Sequence, residues 1–75
     1  MSNTLNIGNK ISTLRKEKNW SQGDLAQKID ASREIIGKYE RNENLPSIEM
    51  VAKMAKAFGV TVDFLIREGE NASYD

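Results

Sequence analysis

The feature that most constrains the fold is a pair of short amphipathic segments, residues 22–29 and 33–41, that only three residues separate. Ser21 and Ser32 stand directly before them, and a serine hydroxyl in that place accepts a hydrogen bond from the first turn of a helix. Apolar residues then recur at helical spacing in each segment: Leu25, Ala26 and Ile29, followed by Ile36 and Tyr39, with Ile35 on their flank. The sequence therefore predicts two short helices that meet at a sharp corner.

Three further helices are predicted around this pair. One spans about residues 7–18 and ends at Asn19, a residue that tolerates the left-handed backbone. Ser47 caps the next helix, which Gly59 ends, and Thr61 caps a last short one. Their apolar stripes comprise Ile7, Ile11 and Leu14, then Ile48, Val51, Met54, Ala55 and Phe58, then Val62, Leu65 and Ile66. We expect an all-α fold of five helices over residues 5–67, with a polar, frayed tail at 68–75.

Composition narrows the functional classes. The 75 residues suit one domain with a thin core, and they include no cysteine and no histidine. No nucleophile–base constellation or glycine-rich phosphate loop is present, so we expect neither an enzyme nor a cofactor, metal or small-molecule substrate. No run of about 18 apolar residues and no signal peptide occur, which predicts a cytoplasmic protein without a membrane partner.

The charge is unevenly distributed along the chain. The net charge is zero, but residues 1–41 carry eight basic against five acidic side chains, and residues 42–75 carry three against six. A basic face for a polyanionic partner is therefore compatible with the neutral total.

Several short pieces together resemble the Cro/CI-like helix-turn-helix domain of phage repressors and bacterial regulators, also called the xenobiotic-response-element type. The pieces are Leu14-Arg15, Ser21-Gln22, Leu25-Ala26, Ser32-Arg33, Tyr39-Glu40-Arg41, Pro46-Ser47 and residues 57–62. Each is weak alone, but the order and spacing match over nearly the whole chain. The chain departs from the family's usual glycine at Asn19, Asp30 and Asn42. All three are the non-glycine residue types that best adopt a positive φ, so we expect a left-handed backbone there.

The resemblance implies a lambda-repressor-like fold and a sequence-specific regulator that binds double-stranded DNA, with the third helix in the major groove. The residues expected to contact bases are Arg33, Glu34 and Lys38. Contact with phosphates alone is an alternative for the two cations, and a favourable place near the positive helix N-terminus is the alternative for Glu34. Phosphate contacts are expected from Gln22, Ser32, Arg41 and Asn44, although an ordinary turn residue is the alternative for Asn44.

The resemblance also pairs Arg15 with Glu40 as a partly buried structural ion pair. Family members usually bind palindromic sites as dimers, most often as repressors, so a homodimer is expected. Its interface is expected at Val60, Val62, Phe64 and Ile66. The alternative function is an antitoxin or another protein-interaction module that also binds DNA.

Overall fold

The computed structural model describes residues 6–67, and the predicted tail at 68–75 lies outside them. The described chain forms five helices and no strand: α1 (Ile7–Glu17), α2 (Gln22–Lys28), α3 (Arg33–Glu40), α4 (Ile48–Phe58) and α5 (Val62–Ile66). The all-α prediction is confirmed. None of the described helices has the length and apolarity that a membrane crossing requires.

Side-chain caps begin four of the helices, at the residues that the sequence indicated. Ser21 and Asp24 exchange hydrogen bonds of 2.9 and 2.8 Å in a capping box. Ser32, Ser47 and Thr61 accept from the backbone N–H three residues on, at 3.1, 3.1 and 2.9 Å. Each cap satisfies a backbone donor that has no partner within its helix, so each fixes where the helix begins.

Left-handed residues follow four of the helices, α1 to α4. Asn19, Asp30 and Asn42 have φ of 61°, 58° and 60°, and Gly59 has φ of 75°. The expected positive φ at the three Asn and Asp positions is confirmed. These residues let the chain reverse within one or two residues, which makes the corner between α2 and α3 tight.

The core lies between the five helices, where α3 packs against α1 and α2, and α5 packs against α1 and α4. Its fully buried members include Ile11, Leu25, Ile36, Met54 and Leu65. Ile48 was expected in the apolar stripe of α4, but 69% of it is exposed. That expectation is wrong because Ile48 begins α4, and the first turn reaches the edge of the core. Trp20 is half-buried and packs against the core, where its ring stacks on Phe58 with centroids 5.7 Å apart.

The N-terminus of α1 packs directly against the end of α3. Gly8 is buried there, and an added Cβ would lie 2.7 Å from the carbonyl oxygen of Glu40. The Gly8 N–H donates to the Asn42 side-chain oxygen at 3.1 Å, while the Asn42 amide donates to Asn6 at 3.3 Å. Asn42 therefore caps a helix that is distant in sequence, and this contact orients α3 on α1.

Candidate nucleic-acid interface

The outer face of α3 presents three charged side chains on a rigid support. Arg33, Glu34 and Lys38 are all exposed, whereas Ile36 and Tyr39 on the opposite face are buried in the core. Because Ser32 caps the helix and the core holds its inner face, the three charges have a fixed backbone. Two cations and one carboxylate on such a surface can donate to and accept from the edges of base pairs.

Gly37 lies in the middle of this face and is buried beneath two of the predicted phosphate-contacting side chains. An added Cβ would lie 3.0 Å from the Arg41 guanidinium and 3.6 Å from the Gln22 side-chain oxygen. The missing side chain lets the start of α2 and the end of α3 share one surface. An alanine here, although about 1 kcal/mol more favourable inside a helix, would displace the end of the Arg41 side chain.

Arg41 is paired in the free protein. Its guanidinium donates to both carboxylate oxygens of Glu43, at 2.8 and 3.2 Å, and both side chains are more than half exposed. Hydrogen bonding and charge raise the pKa of Arg41 and lower that of Glu43. A phosphate that contacts Arg41 therefore either replaces Glu43 or uses the three guanidinium N–H groups that Glu43 does not accept from.

An ion pair joins α1 to α3 beneath this surface. Arg15 donates to the two oxygens of Glu40 at 2.6 and 3.0 Å, and only 11% and 8% of the two side chains is exposed. A third bond runs from Arg15 to the Trp20 carbonyl oxygen at 2.8 Å. The structure places together the two residues that the family resemblance paired.

Gln22 extends the ion pair to α2, because its amide donates to Glu40 at 3.0 Å. Burial by itself raises the pKa of Glu40, but the hydrogen bonds from Arg15 and Gln22 and the Arg15 charge outweigh it, so the pKa is lowered. The contact was missed from the sequence, because it depends on how α2 crosses α3. One amide hydrogen of Gln22 is held by the protein, and a second donor remains for a phosphate.

The other two predicted phosphate contacts are exposed and lie at either end of α3. Ser32 uses its oxygen to cap the helix, and its hydroxyl hydrogen is free to donate to an anion. Asn44 lies in the loop after α3, where the backbone N–H groups of Glu43 and Asn44 return to the Lys38 carbonyl at 2.9 and 3.4 Å. This hydrogen-bonded return positions the loop beside α3.

The residues predicted for a dimer interface differ in accessibility. Phe64 is 47% exposed, whereas Val60, Val62 and Ile66 are half-buried and pack against the core. The largest exposed apolar side chains are instead Leu45 and Ile48, at 67% and 69%. Both line a shallow apolar groove that Ile66 also borders. Sequence periodicity assigned Ile48 to the core and gave no reason to single out Leu45.

The fold and this surface define a helix-turn-helix domain, and comparisons with known proteins agree. A profile of the helix-turn-helix family matches residues 11–65. The chain belongs to this family of DNA-binding transcriptional regulators, and the solved structures similar to it include the P22 c2 repressor. The family is not enzymatic.

Two curated relatives illustrate the sequence similarity. The HTH-type transcriptional regulator SinR of Bacillus licheniformis is 34% identical over 70 residues, which are 92% of this chain and 63% of that protein. Multiprotein-bridging factor 1 of Candida glabrata is 40% identical over 55 residues, which are 73% of this chain and 36% of that protein. The chain thus spans less than two thirds of the length of each relative.

Two solved structures illustrate the similarity of fold. The P22 c2 repressor in complex with a synthetic operator superimposes with a TM-score of 0.81 at 27% identity, over 88% of this chain and 100% of that one. The biofilm regulator SinR in complex with DNA gives a TM-score of 0.74 at 35% identity, over 79% of this chain and 95% of that one.

Proposed function

We propose that this chain recognises a specific double-stranded DNA sequence, with α3 in the major groove, and that it represses transcription as a dimer on a palindromic operator. The observation that carries the proposal is the rigid, capped α3 whose outer face holds Arg33, Glu34 and Lys38 exposed. The DNA complexes of the P22 c2 repressor and of SinR support it.

In this proposal the three exposed side chains of α3 recognise the DNA sequence through contacts with base edges. Arg33 or Lys38 donates to guanine, and Glu34 accepts from the amino group of cytosine. Each well-aligned pair discriminates against the wrong base by about 1–3 kcal/mol. Side chains around the same surface hold the phosphates and set the register without reading the sequence: Gln22, Ser32, Arg41 and Asn44.

Selection from random duplexes, followed by titration of variants, tests this assignment. The selected pool should be enriched in a palindrome with half-sites about one helical turn apart. Arg33→Ala should relax the preference at one base position, whereas Gln22→Ala should weaken binding to all sequences about equally. Thermal melting of each variant checks that it is folded. Uniform losses for both variants, or binding that moderate salt abolishes on every sequence, contradict the proposed reading role of α3.

The dimer is the second part of the proposal, and exposed apolar side chains support it. Phe64 on α5 and the neighbouring pair Leu45 and Ile48 are the large apolar groups that the described fold leaves uncovered. Phe64→Ser should weaken binding to the full palindrome at least about tenfold while leaving binding to an isolated half-site unchanged. The ring is about half exposed, and burial of that half in both protomers together contributes about 1.5–3 kcal/mol. Equal losses on both duplexes contradict a dimer contact at Phe64.

A protein-interaction module is the second candidate function. The name of the Candida glabrata relative, Multiprotein-bridging factor 1, and a solved complex of SinR with the SinI protein favour it. In that case selection from random duplexes would return no enriched sequence, while the folded chain would still bind a protein.

A further inference from the structure

A basic cup lies between the end of α2 and the middle of α4. It has a volume of ≈ 390 Å³ and is lined by Lys28, Ile29, Asp30, Lys53, Lys56 and Ala57. Its apolar lining, called the floor below, comes mainly from half-buried Ala57 and only from the small part of Ile29, 2%, that is exposed. The three lysines are exposed around it. We call this feature the lysine cup. A concave site with an apolar floor and a charged rim is suited to bind an amphipathic ligand.

No ion pair of 4.0 Å or less joins the ammonium groups of the cup to an acidic side chain within the described part of the chain. The pKa of Asp24, one turn before Lys28, is lowered chiefly by its hydrogen bonds with Ser21 and to a smaller degree by the Lys28 charge. The three ion pairs found in residues 6–67 all use arginines, and none involves Lys28, Lys53 or Lys56. Asp30 also lies on the rim, but it makes no ion pair with these lysines at 4.0 Å or less. Lys53 and Lys56 are one turn apart on α4, where like charges repel. A ligand with carboxylates would remove that repulsion.

The basic surface continues beyond the cup to the side of Trp20. The Lys28 and Lys18 ammonium groups lie 4.7 and 5.8 Å from the centre of its ring. Trp20 is the only tryptophan of the sequence. It therefore reports on binding at the cup through its fluorescence, because a ligand that draws Lys28 away from the ring changes the surroundings of the indole.

The position of the cup separates it from the surface proposed to contact DNA. None of its lining residues comes from α3, which carries Arg33, Glu34 and Lys38. A duplex seated on α3 also offers no apolar side chain for a floor made of Ile29 and Ala57. The combination of apolar floor and unpaired amines favours a peptide over a phosphodiester backbone.

We propose that the lysine cup is a docking site for an acidic peptide segment of another protein. An aliphatic side chain of that segment rests on Ile29 and Ala57, and carboxylates on either side of it contact the three lysines. The partner binds while α3 is free to contact DNA. The proposal does not depend on the DNA-binding role, because it concerns a different surface of the chain.

Titration of the full chain with a synthetic peptide, followed by Trp20 fluorescence at low ionic strength, tests the proposal. The probe has one central leucine with three glutamates on each side. One control peptide replaces the leucine by alanine, and the other replaces the glutamates by glutamines. We expect saturable binding of the probe, about tenfold weaker binding of the alanine peptide because the floor loses an apolar contact, and no measurable binding of the glutamine peptide.

Protein variants locate the binding site. Lys53→Gln with Lys56→Gln should weaken probe binding about tenfold, because two charge contacts are lost. The control Lys16→Gln removes one positive charge, as each cup substitution does, at an exposed position of α1 outside the cup. It should change the affinity for the probe less than about twofold. Circular dichroism melting confirms that each variant is folded.

Three outcomes overturn the proposal. Equal losses for Lys16→Gln and for each cup substitution would show binding to the general charge of the protein. A random-sequence duplex that displaces the probe equally well from the wild-type chain and from an Arg33→Ala variant would assign the cup to nucleic acid. Substitution of Glu68, Glu70 and Asp75 by their amides that tightens probe binding more than about threefold would make the chain's own acidic residues the occupant.

Discussion

Glu40→Gln should lower the free energy of unfolding by about 3 kcal/mol. The substitution leaves the Arg15 guanidinium without its anion in a place where only 11% of that side chain is exposed. Breaking a buried ion pair costs about 3–5 kcal/mol, and the lower end applies because some water still reaches both groups. The total free energy of unfolding of a chain of 75 residues is about 4–11 kcal/mol, so the loss is a large part of the total.

Urea denaturation at pH 7 measures this effect through the midpoint, with an unchanged dependence on denaturant. Replacing both Arg15 and Glu40 by methionine should recover most of the loss, because no charge is then left unpaired. Arg67→Gln, which breaks an ion pair with Asp63 that is 69% exposed on both sides, should cost about 0.5 kcal/mol or less. A cost below about 1 kcal/mol for Glu40→Gln, with no recovery in the double variant, would refute the reasoning.

The same pair predicts how stability depends on pH. Glu40 has a pKa below its ordinary value of 4.5 in the folded protein. Its contribution is therefore complete above that ordinary value and is lost as the pH falls through the lowered folded pKa. The difference in stability between the wild type and Glu40→Gln should stay constant from pH 7 to about 5 and shrink below about 4. A difference that persists unchanged into acid would mean that the charge of Glu40 is not its source.

Five further substitutions test other contacts. Gly8→Ala should lower the free energy of unfolding by about 2 kcal/mol or more, because the added Cβ meets rigid backbone. Gly23→Ala should raise it by about 0.5–1 kcal/mol, because the added Cβ has no neighbour closer than 3.6 Å. The midpoints of urea denaturation measure both effects. Asn19→Gly relieves a positive φ and should not destabilise, while Asn42→Gly relieves the same strain but loses a helix cap and should lower the melting temperature. Glu43→Gln frees its arginine partner and should tighten DNA binding on all sequences alike, as read from gel shifts; a gain on one sequence alone would argue against a phosphate contact.

Local chemistry explains what could be predicted from the sequence. A serine or threonine before a helix bonds to a backbone group three residues away, so Ser21, Ser32 and Ser47 place helix starts without any knowledge of the tertiary structure. The left-handed backbone at Asn19, Asp30 and Asn42 could also be predicted, because the strain of a positive φ arises within one residue and depends on its type. Arg15 and Glu40 were paired through the family resemblance.

Contacts that depend on how helices cross could not be predicted. The Gln22 amide reaches Glu40 only because α2 lies beside the end of α3, and no spacing in the sequence encodes that approach. Gly8 looked like an ordinary helical residue, although it lies against α3. Periodicity likewise placed Ile48 inside, because it gives the face of a helix but not where along the axis the core ends.

Lys10 on α1 donates to the carbonyl oxygens of Phe64 and Arg67, at 3.0 and 2.8 Å. The described chain therefore enters near Asn6, one helical turn from Lys10, and leaves beside the ammonium group of the same lysine. A short linker could join these two points, so the domain is a candidate for circular permutation with new ends in an exposed loop. It could also be inserted as a unit into a surface loop of a host protein without separating its packed helices.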